Sequence, residues 1–113
     1  MVLFGTFILD FQTTDFEFDS KVALRVLSEY RKTCRFADDL STFALDNPVS
    51  SAGWSFAKLF LSGEFVERMY ELEANEIDNS RGKKFEEKFV SWLNANLKAH
   101  NCRAQIKIGP EMK

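Results

Sequence analysis

The chain has 113 residues, 45% hydrophobic and 28% charged, with fifteen Lys and Arg against seventeen Asp and Glu for a net charge of −2. This composition excludes a disordered chain, which carries few aromatics and a high net charge. The length excludes two ordinary domains, since one takes about 100–150 residues.

The expectation is therefore one compact domain over residues 1–113, with a polar tail at 109–113. Twelve of the sixteen aromatic residues are phenylalanine, far above ordinary usage, which points to a core built on large rigid side chains. The two cysteines, Cys34 and Cys102, lie far apart in sequence. They read as free thiols, the state expected in a reducing cytoplasm. No segment reaches the ~18 uninterrupted apolar residues of a membrane span. The apolar start lacks the basic region and cleavage site of a signal peptide. A cytoplasmic protein without a membrane partner is the corresponding expectation.

In chain order, residues 2–11 read as a strand. Leu3, Phe7, Leu9 and Phe11 fall on one face and Val2, Phe4 and Ile8 on the other. Apolar residues on both faces predict a strand covered on both sides, or one covered at one face and shielded at the other by a loop or a partner. If it lies at a sheet edge, a second copy of the chain can pair with it as a homodimer. Phe16-Glu17-Phe18 alternates and is an optional short second strand. Asp19 and Ser20 are N-cap candidates, and the spacing of Val22, Val26, Leu27, Tyr30 and Cys34 predicts a helix over 20–45. It has a break near residues 36–38, where Asp38 and Asp39 could cap a further short helix. Asp46-Asn47-Pro48 ends it. Residues 54–77 read as a helix that Ser62-Gly63-Glu64 could interrupt, and 81–100 as the clearest helix, with Phe85, Phe89, Trp92, Leu93 and Leu97 on one stripe. In 102–108, Cys102, Ala104, Ile106 and Ile108 alternate with Arg103, Gln105 and Lys107, the pattern of a half-buried strand. The expected fold is α+β: a sheet of two or three strands formed by the chain ends (2–11, optionally 16–18, and 102–108), with three or four helices packed on one face.

The residues supply little chemistry. His100, the only histidine, reads as a helix C-cap. With Cys102 alone it falls short of a zinc set. Neighbouring Asp38 and Asp39 diverge by about 100° on a helix. The glycines are scattered singly, so no phosphate-cradling loop is present. Asp10, at the end of the first strand, is one carboxylate without a mechanism. No catalytic residue, cofactor or metal site is assigned, and an enzyme is not expected.

Charge is distributed unevenly. Residues 1–80 hold seven Lys and Arg against fourteen Asp and Glu, whereas 81–113 hold eight against three. Two functional readings follow. The first is a small non-catalytic module that binds another protein, in the manner of an inhibitor, immunity-like or regulatory adaptor protein, by steric occlusion. Its candidate residues are Trp54 and Phe56 as apolar anchors and Glu64, Glu67, Glu71 and Glu73 as an acidic row. The alternative is a nucleic-acid-binding or nucleic-acid-mimicking regulator. It would use Arg81, Lys83, Lys84, Lys88, Arg103 and Lys107 on phosphates, or the acidic middle helix as the mimic. Phe4 and Phe56 are the phenylalanines least easily covered by a folded monomer.

Overall fold

A computed structural model describes residues 5–36 and 42–110. The elements are β1 (Phe7–Thr13), α1 (Phe16–Thr33), β2 (Phe43–Leu45), β3 (Val49–Ser51), β4 (Trp54–Leu61), α2 (Gly63–Asp78), α3 (Phe85–Ala99) and β5 (Gln105–Ile108). The fold is α+β, with three helices and a five-stranded antiparallel sheet in the order β2-β4-β1-β5, β3 also pairing with β4. The terminal strands do lie side by side: Leu9 faces Ile108 and Phe11 faces Ile106. The sheet is larger than the two or three strands expected, because 43–45, 49–51 and 54–61 join it.

Four expectations are corrected. Residues 16–18 begin α1 rather than forming a strand. Asp15, not Asp19 or Ser20, is the N-cap, its carboxylate accepting the Phe18 N–H at 3.4 Å. The helix expected over 20–45 stops at Thr33. There Arg35 adopts a φ of 62°, and the N–H groups of Arg35 and Phe36 donate to Lys32 and Arg31 carbonyls, the double bond pattern that closes a helix. The expected break at 36–38 and the Asp38-Asp39 cap fall largely outside the described residues, as does Phe4. Residues 54–61, expected as helix, form strand β4. Its inward row is Ala57, Leu59 and Leu61, and its outward row is Trp54, Phe56, Lys58 and Phe60. The two-residue turn Ala52-Gly53, both at positive φ, links β3 to β4 in the manner of a type I′ hairpin.

One side of the sheet carries the core. Phe7, Leu9, Phe11 and Thr13 of β1 are all at most 3% exposed, whereas Ile8, Asp10 and Gln12 between them are half-buried. The phenylalanine excess is spent here. Phe7 meets Phe89 edge-to-face at 5.4 Å, Phe11 meets Phe16 at 5.9 Å, and Phe65 contacts both Phe36 and Phe43. Such ring pairs add roughly 0.5–1.5 kcal/mol each beyond the area they bury.

Both flanks of the sheet are finished by side chains. On β5, the Asn94 amide of α3 donates to the Ile106 carbonyl at 2.8 Å and accepts the Ile106 N–H at 2.9 Å. It thereby occupies the backbone groups that would otherwise pair with a further strand. On the other flank, Leu45 faces Leu59 and Val49 faces Phe56, so three residues (46–48) oppose two (57–58). This is a bulge, and it contains Pro48. The Asp46 carboxylate replaces a backbone acceptor there, taking the Lys58 N–H at 2.6 Å. Substituting Asn94→Ala strands two partly buried backbone groups and should cost about 1–3 kcal/mol. Denaturant titration measures the loss, and amide exchange should quicken at Ile106 before it does in β1.

Candidate functional site

The helix-free face of the sheet is a continuous surface across four strands. At one end Val49 and Phe56 are cross-strand neighbours, with Trp54 beside them, and their exposures are 69%, 39% and 38%. At the centre a charged row crosses the sheet. The Lys58 ammonium lies 2.5 Å from the Asp10 carboxylate, and Lys107 stands opposite Asp10 on β5. Ile8 and Phe60 form the next row. A hollow of about 350 Å³ beside the bulge is lined by Asp10, Gln12, Asp46, Phe56 and Lys58 among others.

Two further concavities lie elsewhere. A groove of about 630 Å³ runs past the start of α1, between Asp15, Phe18, Lys98 and Arg103. A cleft of about 310 Å³ is lined by Tyr30 of α1, Glu73 and Glu76 of α2, and Trp92, Ala95, Asn96 and Ala99 of α3. In that cleft the Tyr30 oxygen accepts the Asn96 amide at 2.8 Å, and its hydroxyl donates toward Glu73 at 3.5 Å. Burial holds the Tyr30 hydroxyl above its ordinary pKa, against the opposing pull of the Asn96 bond.

The sequence-derived candidates divide among these places. Trp54 and Phe56 sit together on the open face. Glu64, Glu67 and Glu71 recur at helical spacing on α2, which begins at the far end of β4 from Trp54, about 23 Å away at strand rise. Glu73 lies on the other side of that helix, in the Tyr30 cleft. The basic residues are dispersed too. Arg81, Lys83, Lys84 and Lys88 are at the start of α3. Arg103 is beyond its other end, about 22 Å away, and Lys107 belongs to the sheet face. Val49, Lys58, Tyr30 and Trp92 were not among the candidates, and Lys107 and Glu73, which were, prove to belong to a row across the sheet and to the cleft. Lys58, the lone charge in residues 54–61, joins Asp10 and Lys107 in a row that becomes legible only when the segment is read as a strand.

The groups that could have done chemistry are engaged structurally. His100 closes α3: its Nδ1 lies 2.9 Å from the Asn96 carbonyl, and Asn101 follows at a φ of 66°. Cys102 donates to the Asp19 carbonyl, away from that ring. Among the described residues no three His, Cys, Asp or Glu side chains could share a metal ion. No helix there is long and apolar enough to cross a membrane. The chain matches no protein family, no curated protein and no solved structure.

The basic start of α3, opposed to the helix dipole, is balanced locally. The Glu87 carboxylate accepts the N–H groups of Lys83 at 2.9 Å and Lys84 at 3.0 Å. Those bonds, that from Lys84 foremost, hold its pKa below the ordinary 4.5. Gly82, at a φ of 133°, permits this turn, since a Cβ there would come within 2.5 Å of the Glu87 Cβ.

Because its folded pKa is depressed, Glu87 contributes stability that is fully present above the ordinary carboxylate range and is lost as pH falls through the folded value. Glu87→Ala should therefore lower Tm at pH 7, with the gap from wild type closing below about pH 4, as thermal melts across pH will read. Burial raises the thiol pKa of Cys34 against Arg68, and that of Cys102 against the Ala104 N–H. Both thiols are therefore expected to alkylate slowly in the native protein at pH 8 and readily once it is unfolded, measured by mass spectrometry of iodoacetamide adducts.

Proposed function

We propose that the protein is a non-catalytic module that binds another protein through the helix-free face of its sheet and acts by occluding that partner, as an inhibitor or regulatory adaptor does. The observation that carries this reading is the adjacency of Val49, Trp54 and Phe56. These three large apolar side chains stay exposed at one end of the face, while comparable residues on the opposite face are buried. Aromatic anchors beside a polar rim are the usual source of affinity at protein interfaces. Here the rim is the Lys58–Asp10–Lys107 row. A strand-bound platform also fixes those anchors, so little side-chain entropy is lost on docking.

The helix-free position explains why Phe56 resists burial, but it changes the geometry of self-association. β1 has β4 on one side and β5 on the other along its length, so it is not an edge strand. A second copy would have to use the face instead.

Affinity capture with the intact protein tests the reading. A stoichiometric partner should be retained by wild type and lost with a Trp54→Ser, Phe56→Ser variant that still melts cooperatively. Amide exchange in the complex should show protection across 54–60. A partner retained equally by that variant, or a shift of labelled DNA that weakens steeply with salt, would overturn it.

A further inference from the structure

The cleft where α1, α2 and α3 meet is unconnected with the sheet face, and its chemistry is specific. Glu73 and Glu76 place two carboxylates at one rim, and among the described residues no lysine or arginine lies within 4.0 Å of either. The facing wall is aromatic: Tyr30 and Trp92 meet edge-to-face with centroids 5.6 Å apart and planes at 66°. Trp92 is only 6% exposed and lines the cleft, yet its indole N–H donates to no group among the described residues. Ala95 and Ala99, one helical turn apart, leave the space above them open. α2 itself departs from helical geometry at Glu73, with φ −125° and ψ 31°.

We propose that this cleft binds the arginine side chain of a partner polypeptide. A guanidinium is planar, weakly hydrated and always charged, so it can pair with carboxylates through its fork of donors while stacking on an aromatic ring. An ammonium is a compact, strongly hydrated point charge and gains less from ring contact. The carboxylates supply the charge and the half-buried Tyr30 ring, backed by Trp92, supplies the flat surface. The indole N–H, which bonds no protein group among the described residues, can donate to a peptide carbonyl next to the arginine. The assignment does not rest on the sheet-face reading and stands or falls separately.

The test is a nitrogen–proton correlation spectrum of the labelled protein, which carries only two indole N–H signals because the chain has two tryptophans. Titration with N-acetyl-arginine methylamide should move the Trp92 indole signal saturably and leave that of Trp54 in place. The citrulline and lysine counterparts should bind at least about tenfold more weakly, the ratio expected from losing one good charge-assisted contact. Glu73→Gln with Glu76→Gln should abolish the shift. So should Glu76→Gln alone in part, and that side chain holds no hydrogen bond whose loss could disturb the fold. Glu64→Gln with Glu67→Gln, which removes the same charge outside the cleft, should leave the shift unchanged. Any of three results would overturn the proposal: a Trp92 signal that does not move, an equal response to citrulline or lysine, or an equal loss with the Glu64 and Glu67 pair.

Discussion

The carboxylate of Asp19 sits where three segments of the chain converge. It is 1% exposed, a position that costs several kcal/mol for a carboxylate unless its oxygens are taken up by donors. One oxygen receives the Thr13 hydroxyl from the end of β1, and the other receives the Arg103 N–H at 3.1 Å from the segment leading into β5. The Cys102 thiol adds a bond to the Asp19 carbonyl. Thr13 belongs to the same alternating row as Phe7, Leu9 and Phe11. A slip of β1 by one residue would turn that entire row outward and carry Thr13 away from its partner. Arg103 lies two residues before β5, so the same carboxylate also constrains how β5 registers against β1. The sidedness of the sheet, and with it the identity of the exposed face, therefore depends on one buried polar junction.

Once sidedness is set, the flanks decide which surface remains. A sheet with free edges recruits further strands. Here the Asn94 amide takes up the backbone of Ile106, and a bulge with Pro48 interrupts the strand on the opposite flank. With edge pairing disfavoured at these points, the proposed association would use side chains on the broad face. This is where the outward row of β4 has its weight: the row is aromatic at Trp54, Phe56 and Phe60 but interrupted by Lys58, whose charge is met by Asp10. A wholly apolar face would aggregate. An ion pair at its centre keeps the surface wet and imposes an orientation on whatever docks there.

The parts of the fold that were legible in the sequence are those where one pattern excluded the others. In α3 the apolar stripe is confined to one face. In β5 polar and apolar residues alternate strictly, and the pairing of β5 with β1 followed from both needing a partner. Residues 54–61 were misread because both rows of β4 are apolar except at Ser55 and Lys58, so alternation is invisible and a short buried helix fits equally well. The end of α1 was illegible for another reason. A left-handed residue closes it, but that residue is Arg35, where glycine would have been the signal. At its start the cap is Asp15, four residues before the Asp19 that the pattern suggests, and the tertiary partners of Asp19 show that it has a different task. The candidate site was partly legible. Trp54 and Phe56 were singled out for their exposure, but the Tyr30 cleft joins residues 43 and 66 positions apart, a relation that no local pattern encodes.

Charge, which looked polarised along the chain, is not polarised in space. The acidic excess of residues 1–80 and the basic excess of 81–113 interleave. Asp10 stands between Lys58 and Lys107, Glu87 holds the backbone of Lys83 and Lys84, and Arg103 lies beside Asp19. A field that steers partners over long distances requires like charges concentrated on one surface. In this molecule the acidic candidates Glu64, Glu67, Glu71 and Glu73 are divided between two sides of α2, and the basic candidates fall at the start of α3, beyond its end and on the sheet face. The two proposed modes of recognition are therefore decided at contact, by the shape of the apolar end of the sheet face and by the fit of a single cation between Glu73, Glu76 and the Tyr30 ring. Such recognition is short-ranged and weakly salt-dependent at the sheet face. At the cleft it is more salt-sensitive, because the carboxylates there lie near enough to solvent for ions to compete.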